Sequence, residues 1–179
     1  MRIQPITDKA QLAREHRDVF DQVMDVFGRV RGPFGVMLHS PKLAERLLPM
    51  VPFAREGTTI DPKLRQVGVL AVVREREANY VWAAQVDAAH RVGLREAVID
   101  LLRAKGDVAS LAPEERDIAN YARQLMRTNR VDQALFDALQ ARHGVQWLVE
   151  LTAVLNFYVM LCGIANAFEI DVPEGGDKF

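Results

Sequence analysis

The chain has 179 residues, 49% of them hydrophobic and 26% charged, a balance that supports one folded core and leaves no surplus of like charge to hold the chain open. Its 23 basic and 24 acidic residues are interspersed and sum to a net charge of -1, which excludes the basic stripe that nucleic-acid backbones require. The single cysteine, Cys162, excludes an intrachain disulfide and a paired-thiol redox cycle within the chain.

The opening MRIQPITDKAQLAREHRD has no apolar run for export and is too acidic for a transit peptide, so the expectation is a cytoplasmic protein. From Gln11 to Phe27, Leu12, Val19, Phe20, Val23, Met24 and Phe27 recur at steps of three and four, the period of a helix. GRVRGPFG reads as its terminator. Ser40 before Pro41 reads as a cap and first-turn proline for a short helix carrying Leu43, Leu47, Leu48 and Val51.

Asp61 and Pro62 repeat that start. Lys63 to Val92 then reads as helix, with a turn signal only around Arg76 to Asn79, and Gly93 ends it. Arg95 to Arg103 forms a further short helix. Leu111 to Asn129 has Glu114 and Glu115 at its start and Arg127 at its end, the polarity a helix dipole favours. Val131 to Arg142 follows, with Asp132 as its cap.

After His143 and Gly144 comes a long helix whose apolar stretch, Leu148 to Phe168, is interrupted by Glu150 and Asn156 and reads as a helix buried in protein. No alternating strand pattern occurs. The expectation is an all-α, single-domain bundle of about seven to eight helices over residues 1–179, with 170–179 as a loose tail.

The segment REREANYVWAAQVDAAHRVGL, Arg74 to Leu94, gathers the polar and aromatic groups of most interest. Helical spacing puts Ala78, Val81, Trp82 and Gln85 on one side, with Asp87 and His90 farther round. This region resembles the carboxymuconolactone decarboxylase and alkylhydroperoxidase D superfamily, whose chains of similar length carry Tyr-Glu-Trp-x-x-His followed by Ala and Gly on a helix. Tyr80, Trp82, Ala89 and Gly93 hold the matching places. GPFGVMLHSP, ANYARQLMRTNRVDQALFDALQARHG and LVELTAVLNFYVMLCGIANAFEIDVP extend the resemblance over most of the chain.

Peroxidases of that superfamily resemble one another in an acidic residue followed by Cys-x-x-Cys-x-x-x-His. Those places fall here at Gln66, Ala78, Val81 and Gln85, so every ionisable member is missing. Decarboxylase-like relatives have Glu and His where Val81 and Gln85 stand. The resemblance therefore implies the bundle fold and no dithiol peroxidase, and it implies a homo-oligomer, trimer or hexamer, without cofactor or metal.

Gln66 and Gln85 are neutral donors and acceptors that either meet a carboxylate, lactone or phenolic oxygen or satisfy each other across two helices. His39, in a loop, is a candidate proton carrier, as is Glu75; Tyr80 completes the candidate catalytic set with His39 and Gln85. Trp82, Asn156 and Tyr158 join Gln66 as candidate substrate-binding groups, because a flat aromatic ring or a polar group within an apolar helix needs a partner or a ligand. Cys162 lies in an apolar helix and is expected to be inert; His16 and His143 read as exposed helix-end residues.

Three functions fit these residues. One is a cofactor-free lyase or isomerase acting on a small carbonyl, lactone or aromatic acid. Another is a noncatalytic small-ligand binder using the same pocket. The last is a structural oligomer whose pocket is filled by its own side chains.

Overall fold

The computed structural model describes residues 1–179 and is all α-helical, with no strand. The α-helices are α1 Arg17–Phe27, α2 Gly32–Met37, α3 Pro41–Leu47, α4 Met50–Pro52, α5 Pro62–Glu75, α6 Asn79–Arg91, α7 Glu96–Arg103, α8 Pro113–Thr128 and α9 Gln133–Ala167. As α4 is a single turn, eight helices of greater length remain. The chain resolves into two compact units, Met1–Gly57 with Ile164–Asp171, and Thr58–Gly163 with Val172–Phe179.

In the first unit, α1 buries Val19, Phe20 and Val23, the stripe its spacing predicts. GRVRGPFG does not merely terminate α1. Gly28 closes that helix at a φ of 68°, and Gly32 to Met37 then forms a helix of its own, buried throughout. Pro33 sits in the first turn of α2, where its missing N–H is no loss, so a residue read as a breaker acts as a starter. Phe27 and Phe34 pack with ring centroids 5.0 Å apart, and the Arg55 guanidinium lies 4.8 Å from the Phe27 ring centre. Ser40 begins α3 through its backbone carbonyl, which accepts from Leu43 and Ala44; its side chain makes no cap.

The second unit is organised on α5. Asp61 caps it as expected, its Oδ1 accepting from the Lys63 and Leu64 amides. From Arg65 to Val73 every residue is buried, because α6, α7 and α8 surround the helix. Such a helix loses the one-sided apolar pattern, which is why its Val-rich run resembles a strand.

Gly68 is where neighbours come nearest: a Cβ there would lie 3.1 Å from Leu155, 3.2 Å from Ile118 and 3.6 Å from Leu151. The absent methyl group admits them. The predicted turn around Arg76 to Asn79 is real, with Glu77 at a φ of 52° between α5 and α6. Asn129 ends α8 at a φ of 56°, and α9 bends at Gly144, whose φ is 86°.

Two expectations change in the second unit. The apolar part of α9 is not wholly enclosed, since Val145 is 60% and Val149 61% exposed. By length and composition this helix also meets the requirement for crossing a membrane. His143 is not an exposed end group, since it is half-buried and stacks on Trp147 with centroids 4.0 Å apart.

Candidate functional site

The places singled out by the resemblance lie on α5, at the start of α6 and along it, and the structure brings Gln66 and Gln85 together. The Gln66 side chain, 3% exposed, donates from Nε2 to the backbone carbonyl of Gln85 at 3.0 Å and to Gln85 Oε1 at 3.2 Å. The Gln66 amide nitrogen thus finds both its acceptors on Gln85 across the helix pair, so the two amides are linked by one side-chain hydrogen bond. Ala78, at the N-terminal cap of α6, and Val81 are both buried. The four places therefore carry one amide pair and two hydrocarbon groups, with no thiol, imidazole or carboxyl among them.

Trp82 is fully buried, and its indole N–H donates at 2.8 Å to Asp177 Oδ1. Residues 172–179 are consequently no loose tail. Arg103 also grips Asp177, with Nη2 at 2.8 Å from Oδ2 and Nε at 3.3 Å from Oδ1. The Phe179 amide donates to Asn79 Oδ1 at 3.2 Å, and its ring meets Trp82 edge-on at 5.6 Å. The Arg74 guanidinium lies 4.0 Å from the Phe179 ring centre.

Burial pulls the Arg103 guanidinium downward, but Asp177 and Asp100 outweigh it and hold Arg103 above its ordinary value. The first turns of α6 are covered on one flank by this carboxylate and ring. Sequence reading missed the cover because its anchors lie 74 to 105 residues away along the chain.

The other candidates are dispersed. His39 is exposed in the first unit, its Nε2 2.9 Å from the Gln4 carbonyl oxygen. Tyr80 is half-buried on α6. Tyr158 is buried on α9, edge-on to Phe157 at 5.8 Å. Asn156 is exposed, donates to the Thr152 carbonyl at 2.9 Å and lines a groove of about 350 Å³ with Phe136, Val145, Val149 and Ala153.

Glu75 is bound by Arg127 through contacts of 2.6 and 3.0 Å. Burial pushes its carboxyl up, yet Arg127, Lys105 and Arg123 together bring it below the usual range, so Glu75 is held as an anion. His90 pairs with Glu96 at 2.8 Å on the surface. Cys162 is fully buried, and burial pushes its thiol up to about 12 against the opposing pull of Arg76.

No protein-family model matches the sequence, and no curated protein is similar enough to register as a match. Solved structures do match over nearly the whole chain. An alkylhydroperoxidase D core, an uncharacterized peroxidase-related protein from Ralstonia eutropha JMP134, superposes with a TM-score of 0.78 at 18% identity, covering 96% of this chain and 92% of that one. The debrominase Bmp8 without ligand superposes at 0.71 and 15% identity, covering 93% of this chain and 91% of its own. A cysteine-to-alanine form of Bmp8 in complex with 2,3,4-tribromopyrrole superposes at 0.72 and 15% identity, covering 95% and 92%. The chain therefore has the alkylhydroperoxidase D-like fold.

Proposed function

We propose that this protein is a noncatalytic small-molecule binder built on the alkylhydroperoxidase D-like fold. The observation that carries the noncatalytic part of the reading is the Gln66–Gln85 pair. Two amides that hydrogen-bond to each other hold no proton to transfer near neutral pH, whereas acid–base chemistry needs a titrating group in reach of substrate. The binding of 2,3,4-tribromopyrrole by a Bmp8 form in which alanine replaces cysteine supports retention of a small aromatic ligand by this fold without that thiol.

The competing reading is a cofactor-free lyase or isomerase with His39, Tyr80 and Gln85 as catalytic groups and Gln66, Trp82, Asn156 and Tyr158 on the substrate. A screen of small carbonyl compounds, lactones and aromatic acids, followed by product analysis with wild type and Gln85→Leu, separates the two. Saturable binding without product is expected. Product that forms with wild type and is lost in Gln85→Leu overturns the noncatalytic reading in favour of the lyase or isomerase.

We propose also that copies of the chain associate through the exposed face of α9. Phe136, Val145, Val149 and Ala153 expose an apolar surface, and no charged residue occurs from Leu151 to Asn166 to oppose a like copy. Light scattering should report a homo-oligomer, and Val149→Lys should shift it towards monomer at micromolar concentration. A monomeric wild type refutes this assembly.

A further inference from the structure

Residues 172–179 do more than close a surface. Gly176 donates to the Pro173 carbonyl at 2.9 Å, turning the chain back onto α6. A Cβ at Gly176 would meet Val172 at 2.8 Å, the Pro173 carbonyl oxygen at 2.9 Å and Ala83 at 3.3 Å, so only glycine allows so close a turn. That turn delivers one carboxylate and one phenyl ring to prepared groups. Asp177 meets an indole N–H and the Nε and Nη2 of one guanidinium, while Phe179 meets a second guanidinium and an indole edge.

The receiving groups have a specificity of their own. The Trp82 N–H is in a fully buried side chain and has its acceptor in Asp177. Arg103 offers the forked donor geometry that suits a carboxylate. Arg74, held by its Nε donating at 2.6 Å to the Arg103 carbonyl, presents its guanidinium to a ring, and its Nη1 is buried without a hydrogen-bond partner. Carboxylate and aromatic recognition thus stand side by side on the flank of α6.

We propose that Trp82, Arg103, Arg74 and Asn79 form a binding site for aromatic carboxylates, and that Asp177 and Phe179 occupy it in the absence of such a ligand. The proposal rests on the binder reading and deepens it by naming the ligand class. An arylalkanoate supplies both groups in one molecule: its carboxylate takes the place of Asp177 at Trp82 Nε1 and Arg103, and its ring that of Phe179 beneath Arg74. Because the occupant is tethered, it competes at high local concentration, and the site favours ligands that bind well enough to displace it.

The test titrates 3-phenylpropanoate into the 179-residue protein and follows the indole N–H resonances of Trp82 and Trp147 in nitrogen-15 spectra, assigned with Trp147→Phe. Asp177→Ala/Phe179→Ala should bind the probe about ten-fold more tightly than wild type, and Arg103→Gln added to that pair should weaken binding about ten-fold or more. In the same background 3-phenylpropanamide should not saturate, and 3-cyclohexylpropanoate should bind about three-fold more weakly.

Asp177→Asn, which keeps the shape of the side chain, should show a smaller rise in affinity and decides the matter if the double variant does not fold. Unchanged affinity in the folded variants, or equal binding of acid and amide, overturns the site. Product formation from any ligand would defeat the noncatalytic reading while leaving this affinity comparison intact, so the two failures are distinguishable.

Discussion

If the Gln66–Gln85 pair is a structural closure of the site, the two side chains should be energetically coupled. Gln66→Leu removes both hydrogen bonds donated by Nε2 and places a similar apolar volume in a buried position. Gln85→Leu removes only the 3.2 Å bond, because the 3.0 Å bond goes to the backbone. A net neutral hydrogen bond contributes about 0.5–1.5 kcal/mol, and a buried amide left short of a partner costs about 1–3 kcal/mol. Gln85→Leu should therefore lose about 1 kcal/mol and Gln66→Leu about 1–3 kcal/mol.

The double variant leaves neither amide behind. It should lose less than the sum of the two by about 0.5–1 kcal/mol, the worth of the one side-chain bond. Urea unfolding of the four proteins, with the denaturant slope unchanged, measures that difference. Strict additivity within about 0.3 kcal/mol would mean that the amides do not act on each other, and the reasoning that the site is closed by its own side chains would be wrong.

Three further outcomes follow from the packing and charges of the second unit. Gly68→Ala should gain helix propensity of about 0.5–1 kcal/mol but meet Leu155 and Ile118 at 3.1 and 3.2 Å, for a net loss near 1 kcal/mol and a fall of about 2–4 °C in Tm; a rise in Tm would show that α5 has room to spare. Glu75, whose folded carboxyl lies below its ordinary 4.5, contributes stability that is present above about pH 4.5 and lost as pH falls through its lower folded value. The stability gap between wild type and Glu75→Gln should thus be constant near neutrality and shrink on acidification, and a gap that widens in acid would refute the ion-pair account. With its thiol near 12, Cys162 is ionised to about one part in ten thousand at pH 8 and is buried besides; it should react with an aromatic disulfide reagent only in denaturant, and full reaction in the native protein would contradict its placement.

Much of the helical order was legible because its signals are local. Asp61 followed by Pro62, the turn around Arg76 to Asn79 and the stop at Asn129 each depend on a few adjacent residues. The short helix Gly32–Met37 was hidden because glycine and proline signal both the end of one helix and the first turn of another. The amide pair was legible as a possibility through the resemblance, since Gln66 and Gln85 occupy the places of ionising groups. Which partner each amide takes is a tertiary fact.

The docking of Asp177 on Trp82 had no local signal at all. VPEGGDKF has the composition of an unanchored end, and its partners are fixed by the packing of α5, α6 and α7. The exposed stripe of α9 was also concealed, because a largely apolar helix does not announce which of its faces lacks a covering neighbour.

The enclosure of α5 bears on how the molecule opens. From Val67 to Val73 every side chain is at most 2% exposed, apart from Gly68, which has none to expose, so no surface movement can lay these backbone amides bare. Their hydrogens should trade with deuterated water only when the second unit comes apart as a whole, at a rate set by its unfolding equilibrium. A single peptic fragment from this helix would serve as an internal gauge, registering the stability of the unit without denaturant.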